Sequence, residues 1–386
     1  MGTVRSFLAL SVAIGHWGPF FGVVLINAQI AVLLFFLISG FYMSMIINEQ
    51  YRHIDRWRRK FILNRILRIY PTYYVVLALM IVQFTVNNVE NVFTIPSDDM
   101  DAGQRVLFMI LNITLVGEDI ISGLIPAYDS VQSSLIPQSW TLGSEFLFYF
   151  LAPFLVLATP RKYRAIVAAL ALSSLALRLA IFQFPEEIFR FLTGQAGVSE
   201  QISRRLVASD PGRYRFIPTT LVMFLMGYFS YLIYARLRDS DTARNVGKLL
   251  FILVIAAGVY YIVGFGELDS PLYIADKDSG LVWSLYLFAL VATPFIFLAT
   301  KNSRLDDFIG ALSFPIYISH IFVKQFIGGN WHRISAVRPT ENEMAIMVFL
   351  LTIALSILLV YIVERPIDSY RRRVSQRARR TFADAG

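Results

Sequence analysis

The sequence predicts an all-α polytopic integral membrane protein of about ten transmembrane helices, with both termini in the cytoplasm. Three observations carry this. Hydrophobic residues fill 56% of the 386 positions and charged residues only 16%, where a soluble domain carries about a quarter. The apolar residues fall into blocks of about twenty, the length a helix needs to cross a bilayer core. The segments between blocks alternate between Lys/Arg-rich and acidic, and that asymmetry orients membrane helices.

Span one is expected over 4–25. It begins almost at Met1 with no small-residue cleavage site behind it, so it reads as a retained span and not as a signal peptide. Pro19, close to Gly15 and Gly18, is expected to kink it near His16. Span two covers 28–47. The loop 48–68 that follows holds Arg52, Arg56, Arg58, Arg59, Lys60, Arg65 and Arg68. Pro71 is expected to break the chain and start span three over 69–88. The stretch 105–117 is apolar but too brief to span, and reads as a re-entrant or interfacial piece. Apolar blocks over 139–158, 165–184, 215–234, 249–265, 280–299, 308–328 and 343–363 supply the remaining spans.

In a ten-span chain the basic loops 48–68, 159–164, 235–248 and 300–307 share one side with the tail 364–386. The acidic residues Glu90, Asp98, Asp99, Asp101, Glu118, Asp119, Asp129, Glu267, Asp269, Asp276 and Asp278 fall on the other. Segment 185–214 departs from the pattern, with Arg190, Arg204, Arg205 and Arg213 on the outer side. It is either a solvated loop or a surface that attracts an anionic acceptor. Residues 1–386 read as a single transmembrane domain. The net charge of +8 therefore reflects topology, and no nucleic-acid partner is expected. With no cysteine and four histidines, disulfides, thiolate sites and a cysteine nucleophile are excluded, and no metal site is expected.

Ionisable groups inside spans are costly and mark function. His16, Glu145, His320 and Lys324 are the candidates, while Arg178 is near enough to a span end to snorkel. Arg5 precedes His16 by eleven residues, which returns to nearly the same helix face about 16 Å away along the axis. Arg65 and Arg68 share a face beside the helix start expected at Pro71, a credible phosphate site. The alternative is a basic loop resting on anionic lipid. Glu145 follows Trp140 and Thr141 on span four and must pair or become neutral; a pairing with His16 would fix that base's tautomer. Tyr317, His320 and Lys324 share one face of span nine and read as a hydrogen-bonding stripe lining the cavity. His53 and His332 read as surface residues.

The chain resembles the membrane-bound acyltransferase-3 family, the bacterial transmembrane glycan O-acyltransferases. The matching elements run nearly end to end. They are Arg5 with His16, then Phe35-Phe36-Leu37-Ile38-Ser39-Gly40-Phe41 and Arg65-x-x-Arg68-x-x-Pro71. Trp140-Thr141-Leu142-Gly143-Ser144-Glu145 follows, then Gly310-Ala311-Leu312-Ser313-Phe314-Pro315-Ile316-Tyr317 with His320, and last Glu364-Arg365-Pro366. Thr141 stands where the family usually has serine, and Phe146 where it often has a second acidic residue.

The resemblance implies an acyltransferase of the bacterial inner membrane. It would take acyl-CoA, in the first place acetyl-CoA, from the cytoplasm and acylate a hydroxyl of a saccharide or glycolipid on the far side. No permanently bound cofactor is expected. His16 would be the general base and Glu145 its partner or an acceptor ligand. Arg5, Arg65 and Arg68 would hold CoA phosphates, and Ser39, Trp140, Thr141, Tyr317 and His320 would line the cavity. The competing class is a glycan or lipid-linked sugar transporter that consumes no acyl-CoA.

Overall fold

The computed structural model describes residues 1–87, 102–117, 134–156, 161–184, 215, 217–265, 270–334 and 339–371. Among them the regular elements are helical, joined by a single isolated bridge between Phe20 and Val23. The helices are α1 (Gly2–Trp17), α2 (Ala28–Ile46), α3 (Trp57–Asn87), α4 (Ala102–Thr114), α5 (Trp140–Leu155) and α6 (Arg161–Gln183). They continue with α7 (Ile217–Leu237), α8 (Asp241–Phe265), α9 (Gly280–Thr300), α10 (Arg304–Ile334) and α11 (Glu341–Leu359). A π-helical turn, Ile47–Tyr51, prolongs α2, and another, Val360–Glu364, prolongs α11. Helical structure then runs on to Arg371.

Seven of these helices are long and apolar enough to cross a membrane: α2, α3, α6, α7, α8, α9 and α11. Helices α1 and α5 have 16 residues each, about 24 Å at 1.5 Å per residue and short of a bilayer core of about 30 Å. Helix α10 is long enough but carries Ser313, Tyr317, His320 and Lys324 along its length. The protein is a multi-pass membrane protein.

Helices α2 and α7 cross at close range. A Cβ on Gly40 would lie 2.0 Å from the Phe224 carbonyl oxygen, and one on Gly227 would lie 2.1 Å from that of Leu37. Small residues at such a crossing let two membrane helices pack backbone to backbone. Phe224 is then stacked between Phe36 and Phe148, with ring centroids 4.6 and 4.1 Å away, which ties α5 into the same core. At the other end of α1, Asp306 of α10 accepts from the backbone N–H groups of Gly2 and Thr3 at 2.7 and 2.8 Å. Burial pushes the Asp306 carboxyl up, but the bonds from the chain's amino group, Thr3 and Gly2 outweigh it and hold it at about 2. These bonds satisfy donors that a helix start leaves open and fix the register of α1 on α10.

Three expectations are corrected. Helix α1 does not run to 25 with a kink; it ends at Trp17, where Gly18 takes φ 101°, a conformation that glycine adopts without strain. His16 therefore sits in the last turn of α1, and its open carbonyl accepts from Lys324 Nζ at 2.5 Å. Helix α3 does not start at Pro71 but runs through it from Trp57, because bundle contacts tolerate a proline in a membrane helix. Hydropathy hid its first three turns, which carry the cations. Arg178 does not snorkel: it is 1% exposed and forms an ion pair with Asp278 at 2.5 Å, both side chains fully buried. Most of the stretch 105–117 belongs to the 13-residue helix α4, Ala102–Thr114, too short to span, with Val106, Met109, Ile110 and Ile113 exposed on one side and Phe108 and Leu111 buried on the other. Segment 185–214 and the tail from 372 lie outside the described residues.

Candidate active site

Helices α1, α2, α3, α5 and α10, with the extension of α11, surround a cavity of about 300 Å³. Four guanidinium groups line it: Arg5, Arg65, Arg68 and Arg371. The three arginines expected from sequence thus meet in one place, and the structure adds a fourth that the reading of 364–386 as a basic tail had missed. The helical turns beyond Glu364 carry Arg371 back to the cavity mouth. Its spacing from Asp368, three residues on a helix, was the available signal: the two form an ion pair.

Neighbouring side chains hold Arg5, Arg65 and Arg371. Arg65 is 7% exposed and lies over the rings of Phe61 and Tyr149, 5.7 and 5.9 Å from their centroids. Such contacts favour a desolvated cation. Asn64 Oδ1 accepts from Arg65 Nη2 at 3.1 Å and from Arg371 Nε at 2.9 Å, so one amide spaces two cations. Arg5 lies 5.9 Å from the centre of the Tyr42 ring. Glu364, 8% exposed, shares a smaller cavity with Arg68, Asp368 and Arg371 and backs the cluster from outside.

Glu145 faces this same chamber. It accepts from Ser39 Oγ at 2.6 Å and from Tyr149 OH at 2.5 Å. Its hydrogen bonds thus tie α2 to α5 on the arginine side, and none goes to His16. Four cations and one carboxylate leave the chamber strongly positive, suited to a ligand with more than one anionic group. Thr141 and Tyr317 also line the chamber, and their hydroxyls are hydrogen bonded at 2.7 Å. Gln138 ties the start of α5 to α10 by donating to the Ile318 carbonyl at 2.8 Å, while Trp140, expected to line the cavity, instead packs edge-on against Phe36 at 6.4 Å, outside the lining.

One turn past Tyr317 on α10, His320 meets His16. The ring centroids are 5.1 Å apart and His320 Nε2 is 3.3 Å from His16 Nδ1. His16 Nδ1 is also 2.8 Å from the Val12 carbonyl, and His320 Nδ1 is 2.7 Å from the Tyr317 carbonyl. A carbonyl oxygen only accepts, so each Nδ1 carries its proton. His16 keeps an exposed ring while His320 is 0% exposed. His16 and His320, the latter expected to line the cavity, are absent from the lining, which reaches Tyr317 one turn before His320 on α10. Among the described residues no cluster of three or more metal-ligating side chains occurs.

The family model described as Acyltransferase domain (Acyl_transf_3) matches residues 2–365. A protein of Aquifex aeolicus (strain VF5), named only as an uncharacterized protein, is 24% identical over 246 residues, covering 62% of this chain and 91% of that protein. No solved structure matches. With a match that covers nearly the whole chain, including the helices that carry Arg5, His16, Arg65, Arg68, Glu145 and His320, the chain belongs to the acyltransferase-3 family and is a membrane acyltransferase.

Proposed function

We propose that the protein moves an acyl group, in the first place acetyl, from cytoplasmic acyl-CoA to a hydroxyl of a saccharide or glycolipid on the far side of the bacterial inner membrane. The observation that carries the reading is the gathering of four guanidinium groups in one chamber that ends a helical turn from a histidine pair. The CoA phosphates rest on Arg5, Arg65, Arg68 and Arg371, and the pantetheine arm points past Glu145 towards Thr141 and Tyr317. Opening of the Thr141–Tyr317 bond admits the thioester to His16. The acceptor oxygen attacks the thioester carbonyl carbon while His16 Nε2 takes the hydroxyl proton. The carbon–sulfur bond breaks, and the CoA thiolate leaves with the proton that His16 returns. Glu145 organises the chamber's cations and, through Ser39 and Tyr149, its walls.

In this reading the ten helices other than α4 are the ten spans, the short α1 and α5 being completed by the segments that flank them, α4 lies along the bilayer, and both termini are cytoplasmic. The cysteine-free sequence is a ready background for single-cysteine labelling. Arg56→Cys should react with an impermeant thiol reagent only from the cytoplasmic side and Asp276→Cys only from the other; labelling of both from one side would overturn the topology. The activity itself is tested with membrane vesicles carrying the full chain, acetyl-CoA as donor and envelope glycan as acceptor. CoA thiol release coupled to acetyl mass on the glycan is expected. Glycan movement without CoA release would instead favour a transporter, which family membership already opposes.

A further inference from the structure

We infer that His320 is the positioning residue of the catalytic base, filling through its Nε2 lone pair the role that a carboxylate fills beside many catalytic histidines. The inference rests on the reading of His16 as the base.

The protons decide it. With Nδ1–H donated to the Tyr317 carbonyl, neutral His320 turns an Nε2 acceptor towards His16. His16 Nδ1–H then has two acceptors, Val12 O at 2.8 Å and His320 Nε2 at 3.3 Å. That leaves the Nε2 lone pair of His16 as the proton-accepting atom, and among the described residues no hydrogen bond occupies it. When His16 takes a proton, its Nδ1–H becomes a charged donor, and a bond to a charged group is stronger than the same bond to a neutral one. His320 therefore contributes most at the transition state. A carboxylate is not needed, and Glu145 is engaged elsewhere by Ser39 and Tyr149. The neighbouring Lys324 serves a separate end by capping the last carbonyl of α1.

His320 is itself held rigidly. Its Nδ1 is fixed by its own helix, its backbone carbonyl accepts from Trp17 Nε1 at 3.3 Å, and its ring stands edge-on to that of Trp17 at 6.3 Å. A buried, immobile acceptor aimed at one nitrogen of an exposed partner is an arrangement that sets a tautomer and a ring angle.

The test compares two amides of different reach. The side chain of His320→Asn stops near the Nδ1 position and keeps the bond to the Tyr317 carbonyl. That of His320→Gln extends to the Nε2 position and keeps an acceptor for His16. With acetyl-CoA and vesicles carrying the full chain, His320→Asn should lose roughly 10- to 100-fold in kcat, the range expected for one hydrogen bond to a charged group. His320→Gln should recover most of that loss, and KM for acetyl-CoA should stay within about twofold in both, because uniform binding is untouched. If the two amides behave alike, or Asn outperforms Gln, the positioning role is wrong. His16→Ala assayed beside them separates the two ideas. An active His16→Ala removes the reading of His16 as base, whereas an inactive His16→Ala with equivalent amides removes only the role of His320.

Discussion

The arginine chamber and the histidine pair share helices α1 and α10 but are built in opposite ways. The chamber holds fixed charges: guanidinium groups that stay protonated, pinned by ring faces, Asn64 and Asp368. The histidine pair contains no carboxylate and keeps its cation, Lys324, on a backbone carbonyl. Its working parts are two neutral rings whose protons are directed by carbonyl oxygens. On the proposed function, strong binding of a polyanion and transfer of a single proton fall to separate compartments, and Tyr317 lines the first while lying one helical turn from His320 in the second. Each compartment should be breakable without the other.

The largest effect should come from the histidine side. His16→Ala should lower kcat by roughly 10²- to 10⁴-fold, the usual contribution of a general base, and leave acetyl-CoA affinity within about twofold by equilibrium dialysis. Loss of both together would mean that the compartments are one. Next, Arg65→Ala and Arg68→Ala should each weaken acetyl-CoA binding by roughly 10- to 100-fold, with kcat at saturating donor far less affected. A kcat defect that saturating donor fails to relieve would place the arginines in the chemistry. Arg371→Ala should act in the same sense but more weakly, by about tenfold or less, since its guanidinium is already shared with Asn64 and Asp368. Smallest of all, Tyr317→Phe should cost about 1 kcal/mol of stability in a detergent unfolding assay, one hydrogen bond's worth. It should speed burst-phase acyl transfer if the hydroxyl pair is the partition; an unchanged burst would show that the partition lies elsewhere.

The same contrast explains what could be read without coordinates. Helices α2 and α8 have similar hydropathy, 2.5 and 2.3, yet 78% of the apolar window of α2 is buried inside the protein against 6% for α8. Lipid and protein interior are equally apolar solvents for a side chain, so composition reports that a helix is in the membrane and is silent on what it faces. The apolar blocks therefore located the helices well, and failed where the chain stopped being apolar or stopped being regular. Helix α3 began earlier than its hydropathy because cations occupy its first turns, and α1 ended sooner because Gly18 needed only one dihedral to stop it.

For the site, helical spacing was enough to bring Tyr317, His320 and Lys324 to one face, and the Arg65/Arg68 pair into one direction. Spacing works within a helix. Contacts between helices follow from packing angles that no local pattern encodes, so the meeting of His16 with His320 and of Asn64 with Arg371 came only from the fold. Glu145 illustrates the difference: its place one turn from Thr141 was legible, while its commitment to Ser39 and Tyr149 was not.

The ion pair between Arg178 and Asp278 has a consequence for how this scaffold can change. Both partners lie out of contact with solvent. Removing one leaves the other as an uncompensated interior charge, at about 3–5 kcal/mol, although exchanging both for well-packed apolar residues is often neutral. The route between those two acceptable sequences crosses a state with half the pair, and that intermediate forfeits much of the roughly 5–15 kcal/mol that keeps a protein folded. Single substitutions at either position are therefore the costly ones, and only a paired exchange offers a tolerable way out.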